Sequence, residues 1–278
     1  PCNGSPPTFG ILSNMNLSAI IAARHRATAG FSTEAQSYFD RLDTAGDTTY
    51  TPYKQPLANY IDGLVALGGA YWNTMEQACS FVGVGIEGIV VPLRSGMTVP
   101  TNNNFLTGDL SQTTGLLSTG TEYIDTNVAD SLNSGTDTST SVYVTTAAAA
   151  SFDDYFGASE AAPAFRAETS SPTAKTTFFC YGSGFTTASV DPTLGLVGLS
   201  RASSANYDYR VDGSTVNVVN ASGTPSGYDI FIFANNSNGT APNRQIAARY
   251  ATYHVGPALN MATLEALQDT LISEIAAI

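Results

Sequence analysis

From residue 71 onward, apolar residues come in short bursts cut apart by clusters of Gly, Asn, Ser and Thr. Bursts at 78–84, 88–93, 115–117, 122–128, 141–146, 164–169, 176–181, 195–199, 207–211, 216–219, 228–234 and 245–253 read as strands. No helical period separates them, which excludes the crossover-connected parallel sheets of α/β proteins and predicts an antiparallel sandwich. Asp212-Gly213, between two of these bursts, supplies the positive φ angles of a tight hairpin, and Asn235-Asn236-Ser237-Asn238-Gly239 is a second hairpin-type turn. Pro100-Thr101-Asn102-Asn103-Asn104 reads as a separator, and the alanine run 147–150 as a strand-end loop.

The flanks follow a different period. Over residues 31–45, Ala35, Tyr38, Phe39 and Leu42 share a helical face, with Ser32 or Thr33 as cap and Glu34 in the first turn. Residues 56–67 repeat the pattern through Leu57, Tyr60, Ile61, Leu64 and Val65, and Gly68-Gly69 ends it. Both helices are too short to stand alone and are predicted to rest on the sheet or on a partner chain. A closing helix over 261–275, capped by Asn260, aligns Met261, Leu264, Leu267, Leu271 and Ile275; it is expected to cover a sheet edge or join an intersubunit contact. Residues 1–30 contain no acid and three early prolines, and read as an arm that docks on a neighbouring subunit or packs on its own domain.

The order of landmarks resembles a concanavalin A-like, laminin-G-like jelly-roll module of tailed-phage virion proteins. The residues that carry it are Tyr123-Ile124-Asp125-Thr126, Asp153-Asp154-Tyr155-Phe156-Gly157-Ala158, Gly198-Leu199-Ser200-Arg201, Asp212-Gly213, Ile230 to Ala234 with Asn235, Arg244-Gln245-Ile246-Ala247-Ala248, Gly256 and the closing helix. The likeness spans roughly residues 69–278. It implies surface attachment, in a fibre or as head decoration.

Composition narrows the functions. Eleven basic against twenty-three acidic residues give a net charge of −12, which disfavours nucleic acid as a partner. Cys2, Cys79 and Cys180 lack metal-ligand spacing; the last two sit in apolar runs and read as buried thiols, and the sequence leaves open whether Cys2, in the arm, is free or paired. No apolar stretch is long enough to span a membrane, and the start lacks the charge order of an export leader.

Candidate chemistry is sparse. His25 reads as solvated or interfacial and His254 as a surface or packing residue, and Gly182-Ser183-Gly184 is too short for a nucleophile elbow. Glu122 and Asp125, three apart, fall on opposite faces of a strand, and Asp153-Asp154 point apart, so the facing carboxylates of a glycosidase are not predicted. Relatives of the resembled family sometimes bind calcium; Asp125, Asp153 and Asp154 are the candidate ligands, and no other cofactor is implied. Sugar binding needs aromatic platforms, for which Tyr155, Tyr207 and Tyr209 are the candidates, with Phe156 and Tyr228 also near loops or strand ends.

The resulting expectation is an all-β, antiparallel jelly-roll sandwich (residues 70–278) with a helical anchoring segment (31–69) and an arm (1–30). As a virion-surface protein it would form homo-oligomers, hold other virion proteins through the arm, bind host-surface glycan and perform no covalent chemistry. The alternatives are a ligand-free capsid cement and a polysaccharide-degrading enzyme.

Overall fold

The computed structural model describes residues 30–131, 135–148, 152–159, 164–170, 175–182, 186–187, 194–239 and 241–278. The expected arm over 1–29, with Cys2 and His25, lies outside the described residues. Helix α1 (Thr33–Ala45) begins where Ser32 Oγ accepts from the Ala35 amide, and buries Ala35, Tyr38, Phe39 and Leu42 as the spacing predicts. Helix α2 (Lys54–Ala66) buries Leu57, Tyr60, Ile61 and Leu64. Gly68, at φ 132°, breaks the chain direction in a conformation few other residues adopt. A short helix unforeseen in the sequence, α3 (Gly69–Thr74), follows it.

Among the described residues, seventeen strands then divide between two sheets: β1 (Gln77–Ser80), β2 (Thr101–Asn103), β3 (Leu110–Ser111), β4 (Gly115–Leu117), β5 (Tyr123–Ala129), β6 (Thr138–Thr146), β7 (Asp154–Gly157), β8 (Phe165–Ser170), β9 (Lys175–Cys180), β10 (Thr186–Thr187), β11 (Gly195–Arg201), β12 (Asn206–Val211), β13 (Ser214–Val219), β14 (Asp229–Ile232), β15 (Asn235–Ser237), β16 (Ala241–Asn243) and β17 (Arg249–Gly256). One sheet runs β13-β12-β11-β6-β17-β4-β3, with β1 also on β17. The other runs β10-β9-β8-β7-β14-β5-β2 and carries the β15–β16 hairpin. The ladders are antiparallel except for one β7–β15 pair and one bridge, Asp154 to Gln245. This is the predicted antiparallel jelly-roll sandwich. Residues 88–93, predicted as a strand, instead contain a turn of 3₁₀ helix at Gly88–Val90, and the Asn-rich separator is itself the edge strand β2.

The core lies between the sheets, where Phe233 stacks on Tyr250 at 4.0 Å and Phe81 meets Tyr253 at 5.5 Å. The outer face of the β6/β17 sheet is covered by helices. Helix α4 (Met261–Ala276), capped by Asn260, sends Glu265 to the Leu196 amide and Arg210, Gln268 to Thr252, and Asp269 to Tyr143. It therefore lies across a sheet face, not along the edge expected for it. Its other side meets α2: Asn59 donates to Glu274 at 2.8 Å, and Gly63 leaves room for Leu267. Ser32–Ile278 forms one compact unit.

Asp47 ties α1 to the loop after β1. Its buried carboxylate accepts from the Thr49 amide and hydroxyl and from the Gly85 amide at 2.6 Å. Asp47→Ala strands those donors and is expected to cost about 2–4 kcal/mol. Urea unfolding would read this directly, and a loss below about 0.5 kcal/mol would show the tie to be dispensable.

Candidate functional site

The two-residue Asp212-Gly213 turn, with φ of 52° and 68°, fixes the β12–β13 register: Val211 faces Ser214, and Asp208 faces Asn217. Alternation then sends Tyr207, Tyr209 and Val211 inward and Asn206, Asp208 and Arg210 outward. On the next strands Ser200 faces Asp208 and Ser139 faces Ser200, so one polar row crosses four strands from Ser139 to Asn217. Helix α4 covers only part of that face. Where it starts, Ser200, Asp208 and Asn217 of that row form the floor of a groove of about 530 Å³ walled by Ala258, Leu259, Asn260, Met261 and Ala262.

The groove is held in place by its own polar groups. The Leu259 amide donates to Ser200 Oγ at 3.0 Å, Ser139 Oγ donates to the Pro257 carbonyl at 2.6 Å, and Asn217 Nδ2 donates to Asp208 Oδ1 at 2.7 Å. Ser200 and Asp208 are thereby oriented while keeping further lone pairs, and the exposed Asn217 keeps its amide oxygen and second N–H. Asp208 is the one carboxylate in the lining, and neither Lys nor Arg contributes. Such a surface suits a neutral, polyhydroxylated ligand: amide, hydroxyl and carboxylate groups exchange hydrogen bonds with hydroxyls, and Leu259 and the alanines meet C–H faces.

The tyrosine platforms expected from the sequence are core residues. Tyr155 is fully buried with its ring 6.4 Å from Tyr250. Tyr207 backs the groove wall but is 1% exposed, its hydroxyl donating to the Phe178 carbonyl, and Tyr209 stacks on Phe178 at 4.6 Å. Inward strand parity, invisible until register is known, turns these rings into the core. The groove residues Ser200, Asn206, Asp208, Asn217 and Asn260 were not singled out as binding residues, although the Asp-Gly hairpin alone implies the Asp208–Asn217 pairing.

The acidic candidates lie on the opposite sheet and are not brought together. Asp125 is on β5, and Asp154 on β7, with β14 between them. Burial, followed by the charge of Asp229, raises the Asp125 carboxyl above its usual range, although the Asn127 amide opposes the shift. Asp154 is buried opposite Glu168, with Arg166 3.9 Å from the first acid and 3.3 Å from the second. Asp153, at the start of that strand, receives a hydrogen bond from Thr169 Oγ1 on its carbonyl. Among the described residues no three His, Cys, Asp or Glu side chains converge as a metal set. Glu122 closes its own loop, accepting from the Thr119 amide and the Thr121 hydroxyl at 2.8 and 2.7 Å; these bonds outweigh desolvation and pull its carboxyl down to about 2. His254 is buried, hydrogen-bonded to Tyr71.

One buried cation stands out. Arg201, the last residue of the Gly198–Arg201 landmark, points inward from β11 and is fully buried. Its guanidinium donates to the Cys180 carbonyl at 2.7 Å, the Asn220 carbonyl at 2.9 Å and the Ser203 carbonyl at 3.3 Å, with Nε on Cys180 Sγ. No carboxylate among the described residues pairs with it. Burial pushes the Cys180 thiol up to about 11 even though Arg201 opposes the shift.

No family profile and no curated protein matches the sequence. Among solved structures, the chain is similar to the binding domain of botulinum neurotoxin serotype D (TM-score 0.49, 6% identity), covering 73% of this chain and 52% of that one. It is also similar to domains LG4-5 of the mouse laminin α1 chain (TM-score 0.33, 15% identity, 62% and 47% covered). Domain 4 of the arabinanase AbnA from Geobacillus stearothermophilus, solved with arabinotriose, aligns over 70% of this chain and 98% of its own (TM-score 0.34, 11% identity). The chain thus spans about half the length of the neurotoxin domain.

Proposed function

We propose that this chain is a glycan-binding jelly-roll module displayed on the surface of a tailed-phage virion, in a fibre or as decoration, and that the groove beside α4 takes the sugar. The observation that carries the binding reading is the ordered Ser200–Asp208–Asn217 row beneath a groove of about 530 Å³, lined by hydroxyl, amide and small apolar groups with one carboxylate. Groove size is in the range that encloses a small ligand. The virion assignment rests on the landmark resemblance, and the acidic surface fits particles that must not adhere to one another. The reading requires no metal and no covalent step: one groove carboxylate is half of what glycoside hydrolysis uses.

Titrating the chain with a panel of bacterial surface oligosaccharides by calorimetry tests the site. A saturable ligand is expected, with affinity reduced about tenfold or more by Asp208→Ala and by Asn217→Ala, each of which removes hydrogen bonds worth roughly 1–2 kcal/mol. Binding unaltered by both substitutions would move the ligand elsewhere. Absence of any glycan ligand, with antibody label found over capsids, would favour the cement role. Absence of label on intact particles would refute the virion assignment.

A further inference from the structure

We infer that two copies of this chain pair edge to edge through β13, joining their grooves into one site that takes an extended polysaccharide; this rests on the glycan reading above. Sheet edges expose unpaired amides and carbonyls, and proteins usually blunt them with short strands, charge, proline or bulges. The β3 and β2 edges are short, at two and three residues. Among the described residues β13 has none of these protections. It is six residues long, Ser214-Thr215-Val216-Asn217-Val218-Val219, without a charge or a proline, and pairs with β12 without a register shift. Val219 is 87% exposed and Val216 40% exposed.

The occupant follows from the register. In a two-residue hairpin the residues flanking the turn exchange both main-chain hydrogen bonds, and bonding alternates from there. Ser214, Val216 and Val218 therefore spend their main-chain groups on β12, which leaves those of Thr215, Asn217 and Val219 aimed at the free edge. The Asn220 amide, bonded to the Ala205 carbonyl, keeps the same alternation. A second β13 running antiparallel about a two-fold axis satisfies those groups in a register centred on Asn217. Asn217 then faces its own copy, Thr215 faces Val219, and Val216 faces Val218 on the inner side. Both the bonding direction and the inward-outward parity select this register, and it collects four valines on one face. The strip is also uncharged in a chain of net charge −12, so it is where like-charged copies meet with least repulsion. Because Asn217 ends the polar row, pairing would continue it as Ser200–Asp208–Asn217 followed by the same three residues of the second copy in reverse, with the two-fold axis at the centre of the site.

Sedimentation equilibrium of the full chain tests the pairing. A reversible dimer is expected, strengthened by salt, and Val219→Lys should weaken it at least about tenfold while leaving binding of a short oligosaccharide unchanged. The double variant Val216→Cys/Val218→Cys should give a disulfide-linked dimer on oxidation, because the facing pair is of the close, non-hydrogen-bonded kind; neither single variant should. A long polymer should bind the wild type about ten- to a hundredfold more tightly than Val219→Lys. A monomer at every concentration up to near-millimolar, a dimer indifferent to Val219→Lys, or a long polymer with no such advantage would overturn the inference. If dimer and cross-link form but no glycan of any length binds, the groove reading fails and the shared site fails with it, while β13 stands as the edge through which copies pair.

Discussion

Replacing Arg201 by alanine is expected to cost the fold about 3–5 kcal/mol, a large share of the stability of an ordinary domain. The guanidinium is fully buried between the sheets and satisfies carbonyls from Cys180 on one sheet and from the loop residues Ser203 and Asn220 beside the other. Truncation strands the buried Cys180 carbonyl, where an unsatisfied group costs roughly 1–3 kcal/mol, removes the donor that the part-buried Ser203 and Asn220 carbonyls share, and opens a cavity where the side chain stood. Lysine keeps the charge but presents a point donor in place of a planar fork, so Arg201→Lys should recover only part of the loss. Urea unfolding at neutral pH measures both. A change below about 1 kcal/mol for alanine would mean that the carbonyls find other donors and that the sheets are not stapled there.

The second large effect is with acid. His254 lies on the outer face of β17 beneath α3, hydrogen-bonded to Tyr71, and burial lowers its pKa from 6.5 to about 3. Above pH 6.5 neither the folded nor the unfolded chain protonates it. Below that value the unfolded chain takes up a proton that the folded chain refuses, so stability falls by about 1.4 kcal/mol per pH unit until the folded pKa is reached. Replacing the histidine with glutamine removes this term. The difference in unfolding free energy between wild type and His254→Gln should therefore close, or reverse sign, as pH drops from 7 towards 4, whatever the carboxylates contribute to both proteins. Parallel curves for the two proteins over that range would show that the imidazole reaches solvent when charged. Glu122, lowered to about 2, adds its own acid-dependent loss, complete only at still lower pH.

The architecture was legible because its signals are local. Periods of two and of 3.6 residues separate the strands from the flanking helices, and the faces Ala35–Leu42 and Met261–Ile275 are buried as the spacing implies. Asp212-Gly213 announced the β12–β13 hairpin. Burial of particular aromatics was not legible: Tyr155, Tyr207 and Tyr209 flank turns exactly as exposed residues would, and only pairing across the sheet decides which side they face. The groove was missed for a related reason. Its floor gathers Ser200, Asp208 and Asn217 from three strands and its wall comes from the start of α4, so no window of sequence contains it. Residues 88–93 failed as a strand because their backbone bonds are local: the Gly88 amide donates to the Gly85 carbonyl and the Val91 amide to the Gly88 carbonyl, so the chain turns instead of extending.

The pairing of β1 with β17 sets the order in which a newly made chain can mature. Gln77–Ser80 finds its partner in residues 252–255, and α2 finds Glu274 and Leu267 of α4, so the first elements of the body wait for the last. During synthesis at roughly 5–20 residues per second, α1, α2 and β1 spend on the order of ten seconds or more outside the ribosome with their apolar faces open. Closure is a single late event, in which α4 must seat on the sheet and on α2 together. A ribosome stalled before residue 260 would hold a chain in which the face of α2 that meets Leu267 and Glu274 is still open, a substrate for chaperones and not yet a sandwich.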